Sequence, residues 1–195
     1  GAAIVALAAP AGASAACPTQ TTAKPFATWG DTNQYFRIGN GGLEGGTSGW
    51  SVTGGASVVG GNETWKVGGA GDAKSLRLPV GATATSPMFC VTMQTPTARF
   101  FVRSDNFGSG WGYLAVEAVY TSRSNGSSLG RYYIATVNRN DGAWTVTVPI
   151  DLITGGGLNG GMTADANVQL VFTVYGAGAG TISVDDVYID PVKCC

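Results

Sequence analysis

The chain has 195 residues, of which 31 are glycine and only 12% are charged, with 11 Lys and Arg set against 12 Asp and Glu. A formal net charge of −1 with no basic stripe leaves phosphate-backbone contacts without electrostatic support, so nucleic acid is not an expected partner. Histidine is absent, which rules out Ser-His-Asp and Cys-His catalytic arrangements.

The opening reads as the remainder of an export signal. Gly1 to Ala9 is an apolar run, Pro10 breaks it, and Ala13-Ser14-Ala15 supplies a small-x-small pattern with the cut between Ala15 and Ala16. Nothing later approaches the ~20 continuous apolar residues of a membrane span. The mature chain is therefore expected to be secreted and extracellular, where disulfides persist. The expected division is 1–15 signal remnant, 16–24 polar lead-in, 25–193 one β-sandwich, and a 194–195 Cys-Cys tail.

Four cysteines, Cys17, Cys90, Cys194 and Cys195, allow three full pairings. A bridge between the neighbours Cys194 and Cys195 is strained, because a disulfide wants Cα atoms ~5.5 Å apart. The expectation is Cys17–Cys90, with the tail left as free thiols or as intermolecular links.

Beyond the lead-in, short runs rich in Val, Thr, Tyr, Phe and Trp alternate with glycine turns, which fits strands and not helices. The expected strands are Tyr35 to Ile38, Trp50 to Thr53, Ala56 to Val59, Glu63 to Val67, Ser75 to Leu78, Phe89 to Met93 and Ala98 to Arg103. Tyr113 to Tyr120 follows, with Leu114, Val116, Ala118 and Tyr120 facing the core and Glu117 on the opposite face. After the Ser124-Asn125-Gly126 turn come Arg131 to Val137, the alternating Trp144 to Val148, Val168 to Tyr175, and Thr181 to Ile189. Trp50 and Trp144 are expected in the core. The fold class is all-β: an antiparallel β-sandwich of ten to twelve strands.

Two constellations carry chemistry. Glu44 lies near the start of the sandwich and Asp185 near its end, where first and last strands are often neighbours. One carboxylate from each, with backbone carbonyls, would suit a structural calcium ion; the alternative is a pair of hydrogen-bonded turn residues. The loop Asp105 to Gly112 places Asp105 and Asn106 near Trp111, with Tyr113 and Glu117 on the non-core face of the next strand. Aromatic faces stack on sugar rings while carboxylates and amides bind hydroxyls; the alternative is that these rings pack against neighbouring loops. Asp185 and Asp186, as strand neighbours, are expected to point to opposite faces, which argues against a paired-carboxylate hydrolase.

The segment Asn40 to Trp50, N-G-G-L-E-G-G-T-S-G-W, resembles the opening of galactose-binding-like jelly-roll modules, and Ile182 to Asp190, I-S-V-D-D-V-Y-I-D, resembles their closing strand. Leu43 and Val184 replace the usual Phe and Ile. The lead-in F-A-T-W-G-D with R-F-F-V-R at Arg99 to Arg103 also resembles exported proteins of actinobacteria. The likeness implies a jelly roll, with calcium held at the positions of Glu44 and Asp185, and a carbohydrate ligand. The function expected is a non-catalytic binding module for carbohydrate or a cell-wall or matrix polymer. A structural or adhesive surface protein is the alternative, and a glycoside hydrolase comes third.

Overall fold

A computed structural model describes residues 16–92, 96–138, 142–152 and 165–191. The expected export segment, the glycine-rich stretch 155–161, whose sequence reads as a turn region, and the Cys194-Cys195 pair lie outside the described residues.

Thirteen strands are found among the described residues: β1 (Phe36–Arg37), β2 (Ser51–Thr53), β3 (Ser57–Gly60), β4 (Lys74–Pro79), β5 (Thr83–Thr85), β6 (Phe89–Val91), β7 (Thr97–Asp105), β8 (Gly112–Ser122), β9 (Ser128–Asn138), β10 (Thr145–Val146), β11 (Ile150–Asp151), β12 (Ala166–Gly176) and β13 (Thr181–Asp190). One turn of 3-10 helix spans Ala27–Trp29. The first sheet runs β10-β7-β13-β4-β3, with β1 also paired to β13 and β11 to β7. The second runs β2-β5-β12-β8-β9, with β6 also paired to β12. The strands pair antiparallel, so the architecture is a two-sheet, all-β antiparallel sandwich.

Period-two alternation buries one face of each sheet. Leu114, Val116, Ala118 and Tyr120 of β8, and Val168, Leu170, Phe172 and Val174 of β12, are fully buried and share one core with Leu76, Leu78, Phe100 and Val184 of the first sheet. Phe172 bridges the layers. Its ring meets Phe100 edge-on at 5.2 Å and Trp50 at 6.0 Å.

A second apolar cluster lies on the outer face of the first sheet: Phe26, Tyr35, Phe101, Trp144 and Tyr188. Trp144, expected in a core, is buried in this second one, because its neighbour β10 pairs with β7 at the sheet edge and delivers the indole over the outer face. The segment leading into β1 straps across this face. Ala23 pairs with Tyr35, and Arg99 of β7 donates to Asp31 at 2.6 Å and to the Thr147 carbonyl at 2.8 Å. The Arg99 guanidinium also sits 4.7 Å above the Phe26 ring, and the Tyr35 hydroxyl donates to Asp31 at 2.6 Å.

Cys17 and Cys90 are joined, with Cα atoms 5.6 Å apart and a sequence separation of 73. In chain-entropy terms a loop of that length is worth about 4 kcal/mol. The bridge ties the start of the described chain to β6.

Candidate functional site

The N-G-G-L-E-G-G motif folds around Asn40. Its side-chain amide donates to the carbonyls of Gly46 and Ser48, each at 2.9 Å, and its Oδ1 accepts from the Gly45 N–H at 3.0 Å. The Trp50 indole donates to the Asn40 carbonyl at 3.0 Å. Asn40 sits at φ 51, a left-handed conformation that Asn tolerates better than most residues. The hairpin-like knot brings Gly42 against β1 and β13. A Cβ on Gly42 would lie 2.7 Å from Arg37 Nη1 and 2.9 Å from Asp186 Oδ1, so this approach requires glycine. Glu44, exposed on the same knot, accepts from the N–H groups of Ala73 and Lys74 at 2.7 and 2.8 Å. Its slight burial would raise its pKa, but these bonds hold the carboxyl below the usual range.

Beside this knot, β13 breaks step. Its register against β7 shifts between Asp185 and Tyr188, and Asp186 takes φ 49. That is a β-bulge, one residue inserted into a ladder. Ile182, Val184, Val187 and Ile189 all join the core, so Asp185 and Asp186 fall together between Val184 and Val187. The expectation that they point to opposite faces is corrected: the bulge sends both carboxylates away from the core. Both residues are fully buried, so the pair is not the open cleft a hydrolase needs.

Three carboxylates converge there. Glu63, Asp72 and Asp186 each offer an oxygen, and these lie within 4.8 Å of one another. Asp186 Oδ1 accepts from Arg37 Nη1 at 3.0 Å. Its Oδ2 and both oxygens of Asp72, which is 2% exposed, accept no hydrogen bond among the described residues. Glu63 receives the N–H groups of Trp65 and Val67. Those bonds also explain why Glu63 to Val67 is a loop and not the expected strand: a side chain satisfies the donors that a ladder partner would otherwise take. Asp185 stands next to the triad, accepting from the Glu63 N–H at 3.3 Å. Burial, then the charges of Asp186 and Asp72, push its pKa up to about 9. Burial and Asp72 likewise raise Asp186, against the opposing pull of Arg37. A buried set of oxygens with unmet acceptor capacity is the donor chemistry of a divalent cation site. Glu44 and Asp185, expected as ligands, are not among the three that converge; each instead braces backbone beside them.

Glu63 and Asp72 escape sequence reading because each stands alone in a glycine-rich turn. Asp186 was legible: apolar residues at 182, 184, 187 and 189 show a slip in the period of two, the signature of a bulge.

The expected ligand residues divide between two places. Asp105 pairs with Arg103 at 2.9 Å and, with Asn106 and Phe107, lines an open pocket of about 310 Å³ at the end of β7. Trp111, Tyr113 and Glu117 stand on the second sheet. Trp111 and Tyr113 are near-parallel at 6.1 Å, and Tyr113 and its cross-strand partner Tyr175 near-parallel at 5.4 Å. Trp111 is 57% and Tyr175 47% exposed. Further along the same face, Arg131 of β9 grips Glu117 through two bonds at 3.0 and 2.5 Å.

No family model matches this sequence, and no curated protein does. Solved structures do match, carbohydrate-binding modules and adhesin domains among them. The CBM22-1 xylan-binding domain from Paenibacillus barcinonensis Xyn10C is 14% identical, at a TM-score of 0.50, covering 80% of this chain and 93% of that one. The CBM22-1-GH10 modules of Clostridium thermocellum xylanase 10B, complexed with xylohexaose, are 15% identical at 0.50, covering 77% of this chain and 27% of that one. The K1 cleaved adhesin domain of Lys-gingipain from Porphyromonas gingivalis is 13% identical at 0.47, covering 77% and 96%. The two likenesses at a TM-score of 0.50 show the fold alone, a β-sandwich. Among the described residues, no helix is long and apolar enough to cross a membrane.

Proposed function

We propose that this chain is a secreted, non-catalytic binding module for extracellular carbohydrate, with a structural calcium ion in the acidic triad. The observation that carries the reading is the row Trp111, Tyr113 and Tyr175, three near-parallel rings on the outer face of the second sheet, with exposed ring surface at both ends. Such surface stacks on the apolar face of a sugar ring. The Glu117–Arg131 pair supplies hydroxyl-binding groups on the same face. Because the pair neutralises itself, the face suits an uncharged glycan better than a polyanion. The fold likeness makes polysaccharide the first class to test.

Calcium is the ion we assign, because the converging donors are all carboxylate oxygens, the hard ligands it prefers. Glu63, Asp72 and Asp186 would hold it. Glu44 and Asp185 would act by fixing the backbone around them.

The test is retention on insoluble polysaccharides and a soluble glycan panel, for the wild type and for Trp111→Ala and Tyr175→Ala. Binding by the wild type, weakened about tenfold by each change, a loss of ~1.4 kcal/mol, is the expected result. A folded wild type that holds no glycan, with or without calcium, would overturn the carbohydrate reading.

A further inference from the structure

Arg37 brings a positive charge to the acidic triad. It stands on β1, opposite Tyr188 of β13, and its Nη1 donates to Asp186 Oδ1 at 3.0 Å. Asp186 Oδ2 accepts no hydrogen bond among the described residues. The two oxygens of one carboxylate are therefore divided: one serves the guanidinium, and the other is left for an ion. Asp72, 2% exposed and with neither oxygen hydrogen-bonded, adds a second buried carboxylate whose oxygen converges on the same point. Glycines shape the slot that admits Arg37. A Cβ on Gly41 would lie 3.0 Å from Arg37 Cγ, and one on Gly42 would lie 2.7 Å from Nη1. A Cβ on Gly68 would overlap Nη1 and stand 3.0 and 3.1 Å from the two Asp186 oxygens. The Arg37 side chain is 37% exposed and that of Asp186 fully buried, so the guanidinium reaches the carboxylate from the solvent side.

We infer that Arg37 sets the charge selectivity of this site, favouring a divalent cation over a trivalent one of similar size. The inference rests on the reading of the triad as a calcium site. Three converging carboxylates by themselves reward the higher charge, because Coulomb attraction grows in proportion to it. The repulsion from a fixed guanidinium grows in the same proportion, so it opposes a trivalent ion by one charge unit more than a divalent one. Arginine stays protonated in a folded protein, which makes this discrimination permanent. The same charge tempers the mutual repulsion of the carboxylates, and the glycine slot keeps it in place.

The experiment measures terbium(III) and calcium affinities of the full chain, by terbium luminescence and calcium competition. It compares the wild type with Arg37→Gln, Arg37→Met and Arg37→Lys. The terbium-to-calcium affinity ratio is expected to rise about tenfold when the charge is removed in Arg37→Gln or Arg37→Met. It should stay at the wild-type value in Arg37→Lys. Using the ratio cancels any misalignment of Asp186, which affects both ions. Arg37→Met retains an apolar stem between the glycines should Arg37→Gln fail to fold. An unchanged ratio in a folded neutral variant would overturn the inference and leave the calcium reading standing. So would a Lys variant that shifts as far as the neutral ones, since shape and not charge would then decide. A wild type that binds neither ion would remove the calcium reading, and this inference with it.

Discussion

Val184 and Val187 of β13 face the same core although they stand three positions apart on a strand that repeats every two. The insertion at Asp186 absorbs the difference, and the two aspartates between these valines share the opposite face. In the same neighbourhood, Asp72 offers two buried oxygens that accept no hydrogen bond among the described residues.

Asp72→Asn separates the two consequences of that arrangement. In chelator the variant is expected to be more stable than the wild type, by about 1–3 kcal/mol, since it removes an unsatisfied buried carboxylate from beside Glu63 and Asp186. Calcium should raise the wild-type melting temperature, equivalent to about 2.7 kcal/mol at a hundredfold excess over Kd, and should leave the variant unmoved. Melting curves of both proteins in chelator and in calcium decide it. An equal calcium shift in the two would remove Asp72 from the site.

The Arg99–Asp31 pair predicts an acid response. Burial alone would raise the Asp31 pKa, but hydrogen bonds from Tyr35, Asn33 and Arg99 outweigh it and hold the carboxyl below the ordinary 3.8. A depressed folded pKa contributes stability above the unfolded value and loses it as pH falls through the folded one. The difference in urea stability between wild type and Asp31→Asn should therefore be constant from about pH 5 upward. It should shrink as pH drops below the ordinary carboxylate range. Arg99→Ala, which leaves the Asp31 charge without its cation, should cost about 3–5 kcal/mol at neutral pH. A pH-independent gap between wild type and Asp31→Asn would contradict this account.

Phe172→Ala removes the ring that touches Phe100 of the facing sheet and Trp50. A cost of about 3–5 kcal/mol is expected from lost transfer energy and the cavity left behind. Denaturant unfolding measures it directly. A change under ~1 kcal/mol, the range of swaps that conserve volume, would mean that the layers do not meet at this residue.

Phe107 plugs the end of the sandwich near the loop that leads into β8. A Cβ placed on Gly112 would overlap its ring, 2.5 Å from Cζ and 2.8 Å from Cδ1. Gly112→Ala should then destabilise by about 1–3 kcal/mol through overpacking. The double change with Phe107→Leu should recover part of the loss. Stability of the single and double variants checks the pairing, and strict additivity would argue against it.

The alternation of Leu114 to Tyr120 and of Val168 to Val174 made strands and inward faces legible, because a period of two is a local property that side-chain burial preserves. The glycine turns bounded them for the same reason, and the expected Cys17–Cys90 bridge is present. The destination of Trp144 was not legible, since a buried indole on either side of a sheet has the same local pattern. Nor was the meeting of Glu63, Asp72 and Asp186, which lie as far as 123 residues apart in the chain. Only the pairing of β4 with β13 and the bulge at Asp186 brings them within reach of one another. Local sequence sets which face of a strand is apolar; which isolated acids share a buried corner is decided by strand order and register, and these exist only once the sheets have closed.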